Sequence, residues 1–264
     1  HSVKMINSLS AELDMLRPEM LQGGLQVIAH NLNRKNTDLR LFEFGKTYTV
    51  SAEKRYTEAM HLAIYIAGNT VEQNWKSKPV KADFFYLKGV IEKILMLTGI
   101  KLYTIEPAQK ENCKNAALIK SGNKTIGYFG ELNDKTLRKS DVKAQVFFAD
   151  IHWDDLLAAK TREIEYREIS KFPAVMRDLA LVVDKNVSYS QIEGIALSGK
   201  IAELRSVQLF DVFESDKLGQ GKKSMAVSFM FQDETRTLTD KEIDSFMQKL
   251  VSAYESSVGA EIRK

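Results

Sequence analysis

The chain has 264 residues, 44% of them hydrophobic, a length that favours two domains over one and a composition ample for packed cores. Its net charge of +3 excludes bulk electrostatics as the ground for a nucleic-acid role, and its single cysteine, Cys113, excludes an intrachain disulfide and points to a reducing compartment. No apolar run approaches the roughly 20 residues of a membrane helix and no signal-peptide segment opens the chain, so a cytoplasmic protein with no membrane partner is expected.

In the first region, Pro18 suits the first turn of a helix running towards Asn31, with Met20, Leu21, Leu25, Val27 and Ile28 as its apolar side, although Gly23 and Gly24 weaken it. Residues 39–45 alternate like a strand, and residues 61–67 read as a second strand that stops at Gly68. Asp83 is placed to cap a helix carrying Phe84, Leu87, Ile91, Ile94 and Leu95, stopped by Gly99. Short strands follow at 116–119, 125–129 and 145–151, and Asp154 and Asp155 after Trp153 fit a helix start, where capping explains them better than acid catalysis. The implied fold class is α+β with a largely antiparallel sheet.

Residues 160–171 are the densest mixed-charge stretch and mark the expected boundary, giving domains at 1–163 and 170–264. Beyond it, a strand at 177–183 leads into Ser188 and Gln191, which form a capping box for a helix ending near Ser198. Strands at 207–213 and 222–232 make a hairpin turning at Gly219 and Gly221, and Thr239 with Glu242 forms a second capping box. Ile243, Phe246, Met247, Leu250, Val251 and Tyr254 give that last helix one apolar stripe, and residues 259–263 close a β-α-β-β-α-β order, the ferredoxin-like arrangement.

Two helices on one face of four strands leave the other face bare, a platform used by single-stranded RNA readers. Met225, Val227, Phe229 and Phe231 take core parity, which puts Ser224, Ala226, Ser228 and Met230 on the bare face with Asp178, Ala180 and Val182 of the first strand. That face has no aromatic on its third strand, so stacking falls to Phe172 or Phe210; Arg177, Lys222, Lys223 and Arg236 are phosphate contacts or simply exposed charges. From Lys171 onward 13 Lys and Arg face 14 Asp and Glu, so the platform region is not basic overall.

Phe172-Pro173-Ala174-Val175-Met176-Arg177-Asp178, Leu209 to Phe213, Gly221 to Ser224, Arg236-Thr237-Leu238-Thr239-Asp240-Lys241-Glu242 and the ending at 259–263 resemble the ferredoxin-fold anticodon-binding domain of bacterial phenylalanyl-tRNA synthetase β subunits. The first region resembles the catalytic-like, class II synthetase-type module that precedes it, on Asn7 to Ser10, Leu16-Arg17, Asn31 to Arg34, Leu41 to Gly45, Asp83 to Gly89 and Gly127 to Leu132; Ser8 and Asn133-Asp134 depart from the family's usual residues. The resemblance implies a C-terminal part of a longer subunit that lacks the editing module. It further implies a phenylalanine-tRNA ligase, working with an α subunit in an α2β2 assembly, whose C-terminal domain binds the anticodon stem-loop of tRNA(Phe). Candidate RNA contacts are then Phe172, Arg177, Asp178, Phe210, Lys222, Ser224, Ser228 and Arg236, and no DNA role is assigned.

No catalytic residue, metal site or cofactor is expected in this chain, ATP and magnesium belonging to the complete enzyme. Arg34 or Arg40 fits one cation of an adenylating site, but Glu131 and Asp134 stand where a phosphate-binding arginine is needed after Gly127 and Gly130, so the first module reads as a noncatalytic scaffold. His1, His30, His61 and His152 lack metal-ligand spacing, and the segment from Gly219 to Lys223 lacks the strand-to-helix setting of a phosphate loop. The alternative reading is an amino-acid-sensing regulatory module whose ferredoxin-like domain pairs to make a ligand pocket.

Overall fold

The computed structural model describes residues 2–7, 14–53, 55–72, 74–100, 102–159, 166, 168–215 and 218–263; Ser8 and residues 160–165 and 167 of the charged boundary stretch lie outside them. The chain divides into compact units at 1–165 and 166–264.

The first unit is built on a six-stranded sheet, antiparallel at every junction, in the order β1 (Leu39–Val50), β2 (Tyr56–Ala67), β8 (Val146–His152), β7 (Lys124–Leu132), β6 (Cys113–Ser121) and β5 (Thr104–Ala108). A separate pair, β3 (Asn69–Val71) and β4 (Val80–Lys81), precedes helix α2 (Phe84–Leu97). Alternation along β2 and β8 serves two cores at once. Leu62, Ile64, Ile66, Phe147, Ala149 and Ile151 pack with Leu87, Ile91 and Leu95 of α2 and Leu156 of α4 (Trp153–Ala158). Ala63, Tyr65, Ala67 and Phe148 pack on the other side with Leu21, Leu25 and Ile28 of α1 (Leu21–Leu32) and Leu137 of α3 (Asp134–Lys139).

Three expectations are corrected. Helix α1 begins at Leu21 rather than at Pro18, because the preceding residue Arg17 is tied to β1: the Tyr48 N–H donates to its carbonyl at 2.9 Å and its Nε donates to the Lys46 carbonyl at 2.8 Å. β1 continues through Gly45 to Val50; that glycine leaves room for the Arg17 guanidinium, which would lie 1.8 Å from a Cβ there, and so does not end the strand. Asp155 is in the first turn of α4 but does not cap it, pairing instead with Lys124 Nζ at 2.7 Å. Asp83 caps α2 as expected, accepting from the Tyr86 N–H at 2.7 Å, and Gly68 ends β2 at φ +80°.

The second unit runs β9 (Val175–Asp184), α5 (Tyr189–Ser198), β10 (Leu204–Phe213), β11 (Lys222–Phe231), α6 (Asp240–Val258) and β12 (Glu261–Arg263). Its strands lie in the antiparallel order β10-β11-β9-β12, the ferredoxin-like order. Both capping boxes form, at Ser188 with Gln191 and at Thr239 with Glu242, and Gly259 ends α6 in the left-handed region at φ +61°. Ile192 and Ala196 of α5 and Ile243, Leu250 and Tyr254 of α6 share one core with Leu181, Val183, Met225, Val227, Phe229 and Phe231, so both helices cover the same sheet face. The β10 to β11 connection spans 214–221, longer than the tight turn expected, with glycines 219 and 221 at φ +102° and +80°.

Candidate nucleic-acid interface

The uncovered face of the second sheet is laid out by cross-strand register. Ser224 sits between Phe213 and Val182, Ala226 between Asp211 and Ala180, and Ser228 between Gln208 and Asp178. On the outer side, Glu261 lies beside Val182 and Arg263 beside Ala180. Ala180, Ser224 and Ala226 form a flat floor, and Asp211, Phe213 and Arg263 rise around it to enclose a depression of about 420 Å³. The Arg263 guanidinium carbon is 5.8 Å from the centre of the Phe213 ring, within cation–π reach. A small-residue floor lets a planar group approach the sheet, the aromatic ring offers a stacking surface, and a carboxylate and a guanidinium offer an acceptor and donors for its edges.

The residues singled out from sequence divide into three sets. Asp178, Lys222, Ser224 and Ser228 do lie on this face. Lys222 is at its rim, paired with Glu261, whose carboxylate holds the ammonium above its ordinary value. Ser224 and Ser228 are recessed, at 5% and 8% exposure, because larger side chains flank them on both sides. Arg177 and Arg236 are elsewhere. Arg177 shares the parity of Leu179 and Leu181, and its Nη2 pairs with Asp240 at the start of α6 at 3.3 Å. Arg236 forms a fork on Glu242 at 3.0 and 2.7 Å, so both arginines serve the helix start. Phe172 precedes β9 and is held by its backbone, donating to Ser170 Oγ and accepting from Gln232 Nε2 at 2.7 Å. Phe210 is 58% exposed but does not line the depression.

Sequence reasoning missed Asp211, Phe213 and Arg263. The cause in β10 is a bulge: Leu209 faces Val227 and Asp211 faces Ala226, so Phe210 is an extra residue without a cross-strand partner. Counting by twos from Val207 puts residues 211 and 213 in the core, whereas the bulge turns them outward. Nothing in the local residue pattern announces it.

In the first unit, the buried polar group is Thr47, His61 and Asp150, with Thr47 Oγ1 2.9 Å from His61 Nε2 and His61 Nδ1 2.6 Å from Asp150 Oδ1. It ties β1, β2 and β8 together, with its three residues 6–8% exposed. Arg34 donates to the His30 carbonyl and Arg40 to those of Asn69 and Thr70. After β7, Asn133 caps the short α3 and Asp134 occupies its first turn, so the residues following Gly127 and Gly130 bring acceptors and negative charge rather than an arginine. Among the described residues no group of His, Cys, Asp and Glu could hold a metal ion. Burial pushes the Cys113 thiol up to about 11, away from thiolate chemistry.

The second unit has the fold of an anticodon-binding domain family: residues 170–263 match the ferredoxin-fold anticodon binding domain. Residues 1–153 match the phenylalanyl tRNA synthetase beta chain CLM domain, and the chain belongs to the phenylalanyl-tRNA synthetase β-chain family. It is 41% identical to the phenylalanine–tRNA ligase β subunit of Bacteroides thetaiotaomicron, over 100% of this chain and 34% of that protein. The β subunit of Porphyromonas gingivalis is 38% identical over 99% of this chain and 34% of its own length, and that of Streptococcus mutans 35% identical over 97% and 32%. The chain thus spans about a third of the length of these curated relatives. Neither family match is to an amino-acid-sensing module.

Proposed function

We propose that the chain is the anticodon-recognising part of a phenylalanine-tRNA ligase β subunit, and that the bare face of the β9 to β12 sheet receives the anticodon loop of tRNA(Phe). The observation that carries this reading is the depression floored by Ala180, Ser224 and Ala226 and walled by Asp211, Phe213 and Arg263. A base stacks against Phe213, its N–H edge meets the Asp211 carboxylate, and Arg263 and Lys222 meet phosphate or a base acceptor, with Asp178 further along the same face. Arg177 and Arg236 act indirectly by holding α6 in place. The module over residues 1–163, within the first unit, is a noncatalytic scaffold for a cytoplasmic α2β2 assembly in which the α subunit supplies adenylation with ATP and magnesium. No helix among the described residues is long and apolar enough to cross a membrane, which accords with that setting.

Titration of fluorescent anticodon stem-loops against the chain tests the reading. Saturable binding that prefers the phenylalanine anticodon and is lost in Arg263→Ala is the expected result. Equal binding of unrelated anticodons, or amino-acid binding without RNA binding, overturns it. ATP–pyrophosphate exchange with phenylalanine by this chain alone is expected to be absent.

A further inference from the structure

The depression occupies one end of the bare face of the second sheet, and the next row along the same strands is polar and unengaged. In that row Ser228 of β11 has Gln208 of β10 on one side and Asp178 of β9 on the other. Val207 and Leu209 face Phe229 and Val227 of the core, so Gln208 between them belongs to the bare face. Ser228 is recessed at 8% exposure, while Gln208 and Asp178 are exposed. The row lies two residues along β11 from Ala226, about 7 Å, and so adjoins the floor of the depression. Among the described residues the side chains of Asp178, Gln208 and Ser228 have no hydrogen-bond or ion-pair partner. Met230 and Met176 close the row on its far side, and their thioethers are soft apolar contacts for an aromatic ring.

We infer that this row reads a second base, adjacent in the RNA to the one in the depression, and admits bases with an exocyclic amino group while rejecting those with a keto oxygen there. The inference rests on the proposed anticodon function of this face. β10 and β9 flank β11 at about 5 Å each, which leaves a gap of about 10 Å for one base above Ser228. Adenine presents an amino group beside a ring-nitrogen acceptor, and cytosine presents the same pair. The Gln208 amide matches it with two hydrogen bonds, Nε2 donating to the ring nitrogen and Oε1 accepting from one amino hydrogen. The second amino hydrogen points to the other side, where the Asp178 carboxylate accepts it. Guanine and uracil carry a carbonyl oxygen in place of the amino group and an N–H in place of the acceptor. An amide alone tolerates that exchange, since turning its terminal group over swaps donor and acceptor. A carboxylate has only acceptors, so Asp178 sets negative charge against the carbonyl oxygen. Gln208 therefore holds the base and Asp178 determines which base is admitted. An anticodon complementary to the phenylalanine codons carries two adenines, so an amino base adjoins whichever anticodon base fills the depression.

Fluorescence titration of stem-loops against the 264-residue chain tests the inference, with each anticodon adenine replaced in turn by inosine, which exchanges the amino group for a keto oxygen. One of the two replacements is expected to weaken binding by about tenfold or more. Asp178→Asn is expected to bring that inosine loop to within about threefold of the adenine loop, because the new amide donates to the keto oxygen. The readout is the ratio of the two affinities, which a general loss of negative charge leaves unchanged. Gln208→Ala, at an exposed position without a partner, is expected to weaken the adenine loop by about fivefold or more with an unchanged circular dichroism spectrum. Equal binding of adenine and inosine loops, a ratio that Asp178→Asn does not move, or a Gln208→Ala affinity within about twofold of the original overturns the inference. If stem-loop binding is still lost in Arg263→Ala, such a result leaves the proposed function standing. A chain that binds no stem-loop overturns both.

Discussion

Phe213 and Phe210 are three residues apart on one strand and have opposite expected roles. Phe213 walls the depression beside Arg263, while Phe210 sits at a bulge outside it. Base–aromatic stacking contributes roughly 1–3 kcal/mol per base. Phe213→Ala is therefore expected to weaken stem-loop binding by about tenfold or more in fluorescence anisotropy, with an unchanged circular dichroism spectrum. Phe210→Ala is expected to leave affinity within about threefold, a difference below roughly 0.7 kcal/mol. A different residue reports on pH. The Arg236 guanidinium, with the Thr239 N–H and hydroxyl, holds the Glu242 carboxyl down to about 2 from an ordinary 4.5. A folded-state value below the unfolded one stabilises the fold above pH 4.5, and that stabilisation is lost as pH falls from 4.5 towards 2. The pair is solvent-exposed, so its share is small. Arg236→Gln should flatten the fall of melting temperature across that window; an unchanged slope would show that the fork does not contribute.

At the scale of elements, both capping boxes, the Asp83 cap and the parity of β9 and β11 were legible because each is a local rule written in a few adjacent residues. What was not legible depended on partners distant in sequence. The Gly23-Gly24 pair in α1 looked like a helix weakness. Its two members differ: a Cβ on Gly24 would lie 2.1 Å from the Tyr65 ring, whereas one on Gly23 would meet nothing within 4 Å. Tyr65 is fixed in turn by donating from its hydroxyl to the Met20 carbonyl at 2.7 Å. Gly24 thus lets the helix sit down on the sheet. Gly23→Ala is expected to stabilise the chain by about 0.5–1 kcal/mol through helix propensity. Gly24→Ala is expected to destabilise it by about 1–3 kcal/mol through overpacking, despite the same gain in propensity. Urea denaturation of the two variants separates them, and equal shifts would refute the packing account. The triad of Thr47, His61 and Asp150 was likewise invisible, since 89 residues separate the histidine from its carboxylate.

For the molecule as a whole, charge constrains how RNA would be held on the proposed face. The second unit has no cationic surplus, and the proposed footprint includes only Arg263 and Lys222 as cations, with Lys222 already paired to Glu261. Counterion release on single-stranded nucleic acid gives a log–log salt slope of about −0.7 per neutralised phosphate, so two contacts predict a slope near −1.4. Binding measured across a salt series should follow that shallow line. A slope of about −4 or steeper would mean that a larger basic surface, outside this face, dominates. The α+β class was legible from the sequence because strands and helices leave different periodic patterns, and the ferredoxin-fold anticodon-binding domain was legible through the resemblance of its motifs to that family.

The bulge in β10 changes how related chains should be lined up. Leu209 and Asp211 already face consecutive residues of β11, so a chain lacking position 210 would have an unbroken ladder and still present Asp211 and Phe213 outward. Deleting one residue from a strand ordinarily inverts everything beyond it. Here the deletion would be silent for the two side chains that wall the depression, and an alignment that refuses a gap at Phe210 would pair this surface with another protein's interior.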